Sequence, residues 1–211
     1  ENGWHVREFS VTHDSAVALL LKGIPFAIAT VEATSAHMQA VVGFDRTRNT
    51  LLLRDPGQPY VVEVPAAEFL KRYCPFGPHG MVFIPADRAA LLEGLVLPDS
   101  GIQDEYHQLW GALGQFDRQT AAVVLQRMEA GFPEHRLTWD ARLDLACYDQ
   151  NEAEQVRCLD KLLEWFPDSA ARQLRRYYCL RNATREERLK YLETVCARKN
   201  ADPALLIELA R

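Results

Sequence analysis

The chain has 211 residues, 48% hydrophobic and 25% charged, which excludes a disordered segment and fits one large or two small globular domains. Its formal net charge of -5, from 24 Lys+Arg against 29 Asp+Glu, excludes a generic nucleic-acid binder, which needs a basic face. No apolar run approaches the ~20 residues of a membrane-spanning helix. The chain opens on ENGWHV with neither an initiator Met nor a signal-peptide pattern, and so reads as a piece of a longer one.

Residues 12–22, THDSAVALLLK, predict a helix: Thr12 or Asp14 caps it, Ala and Leu fill it, and Gly23 with Pro25 ends it. Residues 26–31, FAIATV, form a short apolar strand. A polar loop leads to the most informative stretch, residues 37–56, HMQAVVGFDRTRNTLLLRDP. It reads as a strand over 38–44, apolar apart from Gln39, a polar turn DRTRN, and a second strand over 51–53 that ends on Asp55-Pro56. Gly57, Gln58 and Pro59 make a turn, residues 60–64 a further strand, and PAAEFLKRY from Pro65 a helix with proline at its first position. The loop CPFGPHG precedes the last strand, residues 81–84. This pattern predicts an α+β domain over residues 1–95.

From Ala86 onward the period is helical. LVLPDSG carries Pro and Gly with little periodicity, which puts a linker at residues 96–101 before an all-α region over 102–211. That region repeats: LQRMEAGFP at 125–133 aligns with LDKLLEWFP at 159–167, with Leu125 on Leu159, Met128 on Leu162, and Phe-Pro on Phe-Pro. A weaker third copy keeps Leu192 and Val195 before it drifts. Each unit predicts a helix, a turn and a second helix stopped by Pro.

Five cysteines (Cys74, Cys147, Cys158, Cys179 and Cys196) form neither a CxxC pair nor a metal-ligand spacing. Four lie in helix-like patterns, where a free thiol packs as a small hydrophobe, and the odd number points to a reducing, cytoplasmic compartment. Of the histidines, none makes the i, i+4 pair of a helical metal site, so no metal or other cofactor is expected. The Arg- and Tyr-bearing stretch at 172–190 invites an RNA-stacking reading, but Glu186 and Glu187 interleave it, and a solvated helix face is expected.

Folding the hairpin back brings His37 and Asp55 to one end, each about equally far from the turn. An imidazole beside a carboxylate is the orienting half of a nucleophilic triad, a general base held by an acid. The plainer alternative is a solvent-facing strand-end His and an Asp that caps the turn before Pro56. No nucleophile accompanies them. Cys74 follows both in a Pro/Gly loop, and Ser10 and Ser15 lie in no nucleophile-elbow pattern.

The succession Gly23 and Pro25, then His37, then Gly43, Phe44 and Asp45, then Asp55 and Pro56, resembles the bacteriocin-processing (double-glycine) branch of papain-like cysteine peptidases. The resemblance covers residues 4–85. It implies a partial papain-like sheet domain with His37 and Asp55 as catalytic base and orienter. In the family the catalytic Cys and an upstream Gln precede this region, and no Cys or Gln precedes His37 here, so the chain alone is expected to be inactive. The helical region resembles tetratricopeptide repeats in its period and terminal Pro, with Trp139 and Ala121 at motif positions, while the motif's Gly-then-Tyr is absent. That likeness implies a surface that binds a protein or peptide partner; a plain helical bundle is the alternative.

Overall fold

The structure, a computed structural model, describes residues 3–180 and 182–211. It divides into two units: the chain up to Val31 together with Ala36–Gln103, and Glu32–Ser35 together with Asp104–Arg211.

In the first unit the alternating strands pair into an antiparallel sheet. Its strands are β1 (Trp4–Ser10), β2 (Phe26–Val31), β3 (Ala36–Asp45), β4 (Thr50–Arg54), β5 (Val61–Pro65) and β6 (His79–Pro85). They lie in the order β1-β6-β2-β3-β4-β5, with every neighbouring pair antiparallel. One face of the sheet carries Phe9, Phe26, Ile28, Val41, Leu51, Leu53, Val82 and Ile84. These pack against Ala16 and Leu19 of α1 (His13–Leu21) and Ala66 and Leu70 of α2 (Ala66–Tyr73). Thr12 caps α1 in a reciprocal box: its hydroxyl accepts from the Ser15 N–H, and Ser15 Oγ accepts from the Thr12 N–H. Gly23 ends that helix at a φ of 71°, a left-handed conformation that costs glycine little.

Two expectations change and one element is new. Residues 4–10 form a strand that alternation alone does not reveal, because Trp4 and Val6 point to the open face while His5 and Arg7 share the inner face with Phe9. Pro65 closes β5 and serves as the N-cap of α2 instead of its first helical residue. The helical period from Ala86 becomes a 3-10 segment, Ala86–Leu92, and not an α-helix. The stretch read as a linker is anchored as well. Leu95 and Leu97 pack against the sheet core, the Pro98 carbonyl accepts from the Ser10 N–H at 2.8 Å, and a helix already begins at Ser100.

The chain from Ser100 on is helical: α3 (Ser100–Gly114), α4 (Arg118–Gly131), α5 (Arg136–Tyr148), α6 (Glu152–Trp165), α7 (Ala170–Tyr178), α8 (Arg185–Cys196) and α9 (Pro203–Leu209). The repeat seen in sequence recurs in backbone detail. Phe116 and Gln150 both take positive φ, 61° and 54°. Asp117 and Asn151 follow them as N-caps of α4 and α6, accepting from the N–H of Thr120 and Glu154. Phe132 and Phe166 then cap the C-termini with closely similar dihedrals, each donating its N–H four residues back, to Met128 and Leu162. Leu125, Met128, Leu159, Leu162, Leu192 and Val195 are all buried. The chain is thus an α+β sheet domain followed by a helical array. No helix among the described residues is long and apolar enough to cross a membrane.

Candidate functional site

His37 stands near the start of β3, opposite Thr30 of β2, whose hydroxyl donates to the His37 carbonyl at 3.2 Å. Asp55 follows the last residue of β4. The two are brought together: His37 Nε2 lies 2.9 Å from Asp55 Oδ2. The reason is not equal distance from the turn. β3 and β4 are in register from Asp45↔Thr50 to Gly43↔Leu52, then shift, so that Val41 opposes Leu53 and Ala40 opposes Arg54. Val42 is the extra residue of a β-bulge.

One step further along that register, Asp55 falls opposite Gln39, two residues along the strand from His37 and therefore on the same face. Without the bulge Asp55 would oppose Ala40 and point to the other face. The bulge is what makes the pair possible. The contact at the other end of the hairpin is also fixed: Asp45 Oδ1 accepts from the N–H of Thr47 and Arg48, closing the turn.

Asp55 is held from three directions. Its Oδ1 accepts from the Gly57 N–H at 2.7 Å, while Oδ2 accepts from His37 and from Gln39 Nε2 at 3.0 Å. The Gly57 N–H, with the His37 and Gln39 contacts, outweighs partial burial and holds the carboxyl below its ordinary value, so it is an anion at neutral pH. Capping the turn before Pro56 and orienting the histidine are therefore done by different oxygens of one side chain. The two sequence readings of Asp55 do not compete.

A carboxylate only accepts, so in the neutral imidazole the proton is assigned to His37 Nε2 and the lone pair to Nδ1. Among the described residues nothing hydrogen-bonds to Nδ1, and the His37 side chain is 45% exposed against 18% for Asp55. The imidazole is thus oriented by Asp55, with the Nδ1 lone pair available.

None of the candidate nucleophiles reaches it. Cys74 is exposed at the start of a 3-10 turn, Cys74–Phe76, and makes no side-chain hydrogen bond to His37. Ser15 is engaged in the capping box, and Ser10 lies on β1 opposite His79. Sequence reasoning missed Gln39, whose signal was a single amide in an apolar strand two residues from His37. It also missed a second pair, His79 Nε2 with Glu8 Oε2 at 3.1 Å, which joins β6 to β1.

No group of three or more His, Cys, Asp or Glu side chains among the described residues has metal-site geometry. Cys158 is buried in the helical unit, and burial with the nearby Glu154 carboxylate pushes its thiol up to about 12. The arginine-rich stretch is not simply a solvated face. Arg172 is 1% exposed and paired with Asp140, while Arg175 and Arg176 bond to Asp144 and Asp160. Arg181 of that stretch lies outside the described residues.

No curated protein matches the chain. Residues 2–81 match the model of the Peptidase_C39 like family, a match that spans the sheet from β1 into β6 and includes His37, Asp55 and the bulge between them. Over those residues the first unit is similar to that peptidase-related family.

Proposed function

We propose that this chain joins a peptidase-like domain, non-catalytic by itself, to a helical-repeat module that binds a protein or peptide. Supporting the first half is the His37–Asp55 pair, which would supply the base and its orienter, while among the described residues no thiol or hydroxyl hydrogen-bonds to the imidazole. Supporting the second is the 34-residue recurrence of caps and buried leucines, which fits tetratricopeptide-like units whose stacked helices expose a binding surface. No metal or cofactor is invoked.

One observation favours a second reading, a cysteine peptidase whose nucleophile lies in sequence preceding Glu1. The Nε2-protonated, Nδ1-available tautomer of His37 is the one that can take a proton from a thiol. Assaying peptide hydrolysis by this chain and by a longer product that includes the upstream sequence separates the two. The chain alone is expected to be inactive, and thiol-directed inhibitors should leave no stoichiometric label tied to loss of activity at Cys74. Hydrolysis by the longer product that disappears on His37→Ala supports the second reading; inactivity of both supports the scaffold.

A further inference from the structure

Beside the His37–Asp55 pair, on the same face of the sheet, a cleft of about 520 Å³ opens between β4–β5 and α2. Val62 and Val64 form its sheet wall and Phe69 and Tyr73 its helix wall, while Asp55 and Gln39 stand at one end. We propose that this cleft is a binding subsite for one large apolar side chain of an extended peptide whose backbone adds to the free edge of β5. The choice of a peptide as occupant rests on the peptidase-related reading of the domain.

Three observations support the occupant. β5 is the last strand of the sheet, so its outer backbone groups have no strand partner. Side chains of an added strand alternate in direction, and every second one falls on the face of Val62 and Val64, above the cleft. Sheet edges are ordinarily protected by charge, and here that protection is cancelled. Glu63, the one charged residue of β5, accepts from Thr50 Oγ1 at 2.5 Å and from Arg48 Nη1 at 2.8 Å, while Tyr60 and Val61 beside it are 60% and 49% exposed. The strand therefore presents mostly apolar side chains where it adjoins the cleft, whose lining also includes the charged Asp55, Glu68 and Arg72. A valine wall facing Phe69 and Tyr73 suits an aromatic or large aliphatic side chain more than a polar one.

The test uses the full chain, ¹⁵N-labelled, titrated with a blocked pentapeptide bearing a central Trp and with its all-Ala counterpart. Saturable amide shifts confined to β5 and α2 with the Trp peptide, and much weaker shifts with the Ala peptide, are expected. Tyr60→Ala removes an exposed ring without touching the core and should weaken the Trp peptide roughly ten-fold. Val64→Trp, which fills the cleft from within, should abolish the shifts. Absence of saturable shifts, shifts mapping elsewhere, or self-association through β5 that excludes the peptide would overturn the proposal. The Trp peptide is expected to bind whether or not any product hydrolyses it. Binding without hydrolysis in any product therefore removes only the catalytic reading, and hydrolysis without cleft shifts removes only the subsite.

Discussion

Asp55 performs two tasks with two oxygens, and this fixes how it should titrate. The Gly57 N–H, His37 and Gln39 all favour the charged form, so the folded-state pKa is lowered relative to the unfolded chain. Its contribution to stability is present above the unfolded value and disappears as pH falls through the folded one. Following the Asp55 carboxyl carbon by NMR should give a midpoint below that of an ordinary aspartate. Asp55→Asn removes that titrating carboxyl and, more tellingly, should shift His37 from the single Nε2–H tautomer to a mixture, read from the imidazole ¹⁵N shifts. Nothing in the residue types alone revealed Gln39 as a partner. An amide in a strand is ambiguous until the opposite residue is known.

At the scale of elements, the register shift at Val42 decides which face Asp55 occupies. Because Val42 is the extra residue, deleting it should restore an unbroken hairpin that keeps Val41 opposite Leu53 and Asp55 opposite Gln39, so the His37 tautomer bias should survive in the imidazole ¹⁵N shifts while β4–β5 amides keep their hydrogen-exchange protection. Gly43 beside the bulge is closely covered: a Cβ there would sit 3.0 Å from Leu52 Cδ1. The sequence pattern located both strands of this hairpin and the His–Asp juxtaposition, but a bulge adds one residue without changing composition, so the register could not be read. β1 was hidden for the opposite reason, since its apolar Trp4 and Val6 face outward and the alternation points the wrong way. In the helical unit the periodic leucines were legible because burial there follows the helical period. Leu159 is fully buried, and Leu159→Ala should cost ~2–5 kcal/mol in urea unfolding through the cavity it leaves.

Across the whole molecule the net charge of -5 conceals ion pairs that the sequence could not sort into buried and exposed. Burial would raise the Asp140 carboxyl, but the guanidiniums of Arg172 and Arg136, at 2.8 and 2.7 Å, hold it below its ordinary value. Breaking this pair from one side leaves Arg172 charged and enclosed. Asp140→Ala should therefore cost ~3–5 kcal/mol, more than removing an exposed pair such as Arg198–Asp168, with both losses read from chemical denaturation. Fold class and the two-part organisation were legible because they rest on hydrophobic period. Pairings across long sequence separations were not, because they depend on which faces meet. The matching junctions at Phe116–Asp117 and Gln150–Asn151 carry a consequence for how such a gene changes length. Excising residues 117–150 would join Phe116 to Asn151 and rebuild the same left-handed residue followed by the same kind of cap. Growth or loss in whole blocks of that size is structurally silent at the seam, whereas a single codon lost from β4 moves Asp55 opposite Ala40 and so to the face away from His37. The two halves of the chain thus accept insertions and deletions on entirely different terms.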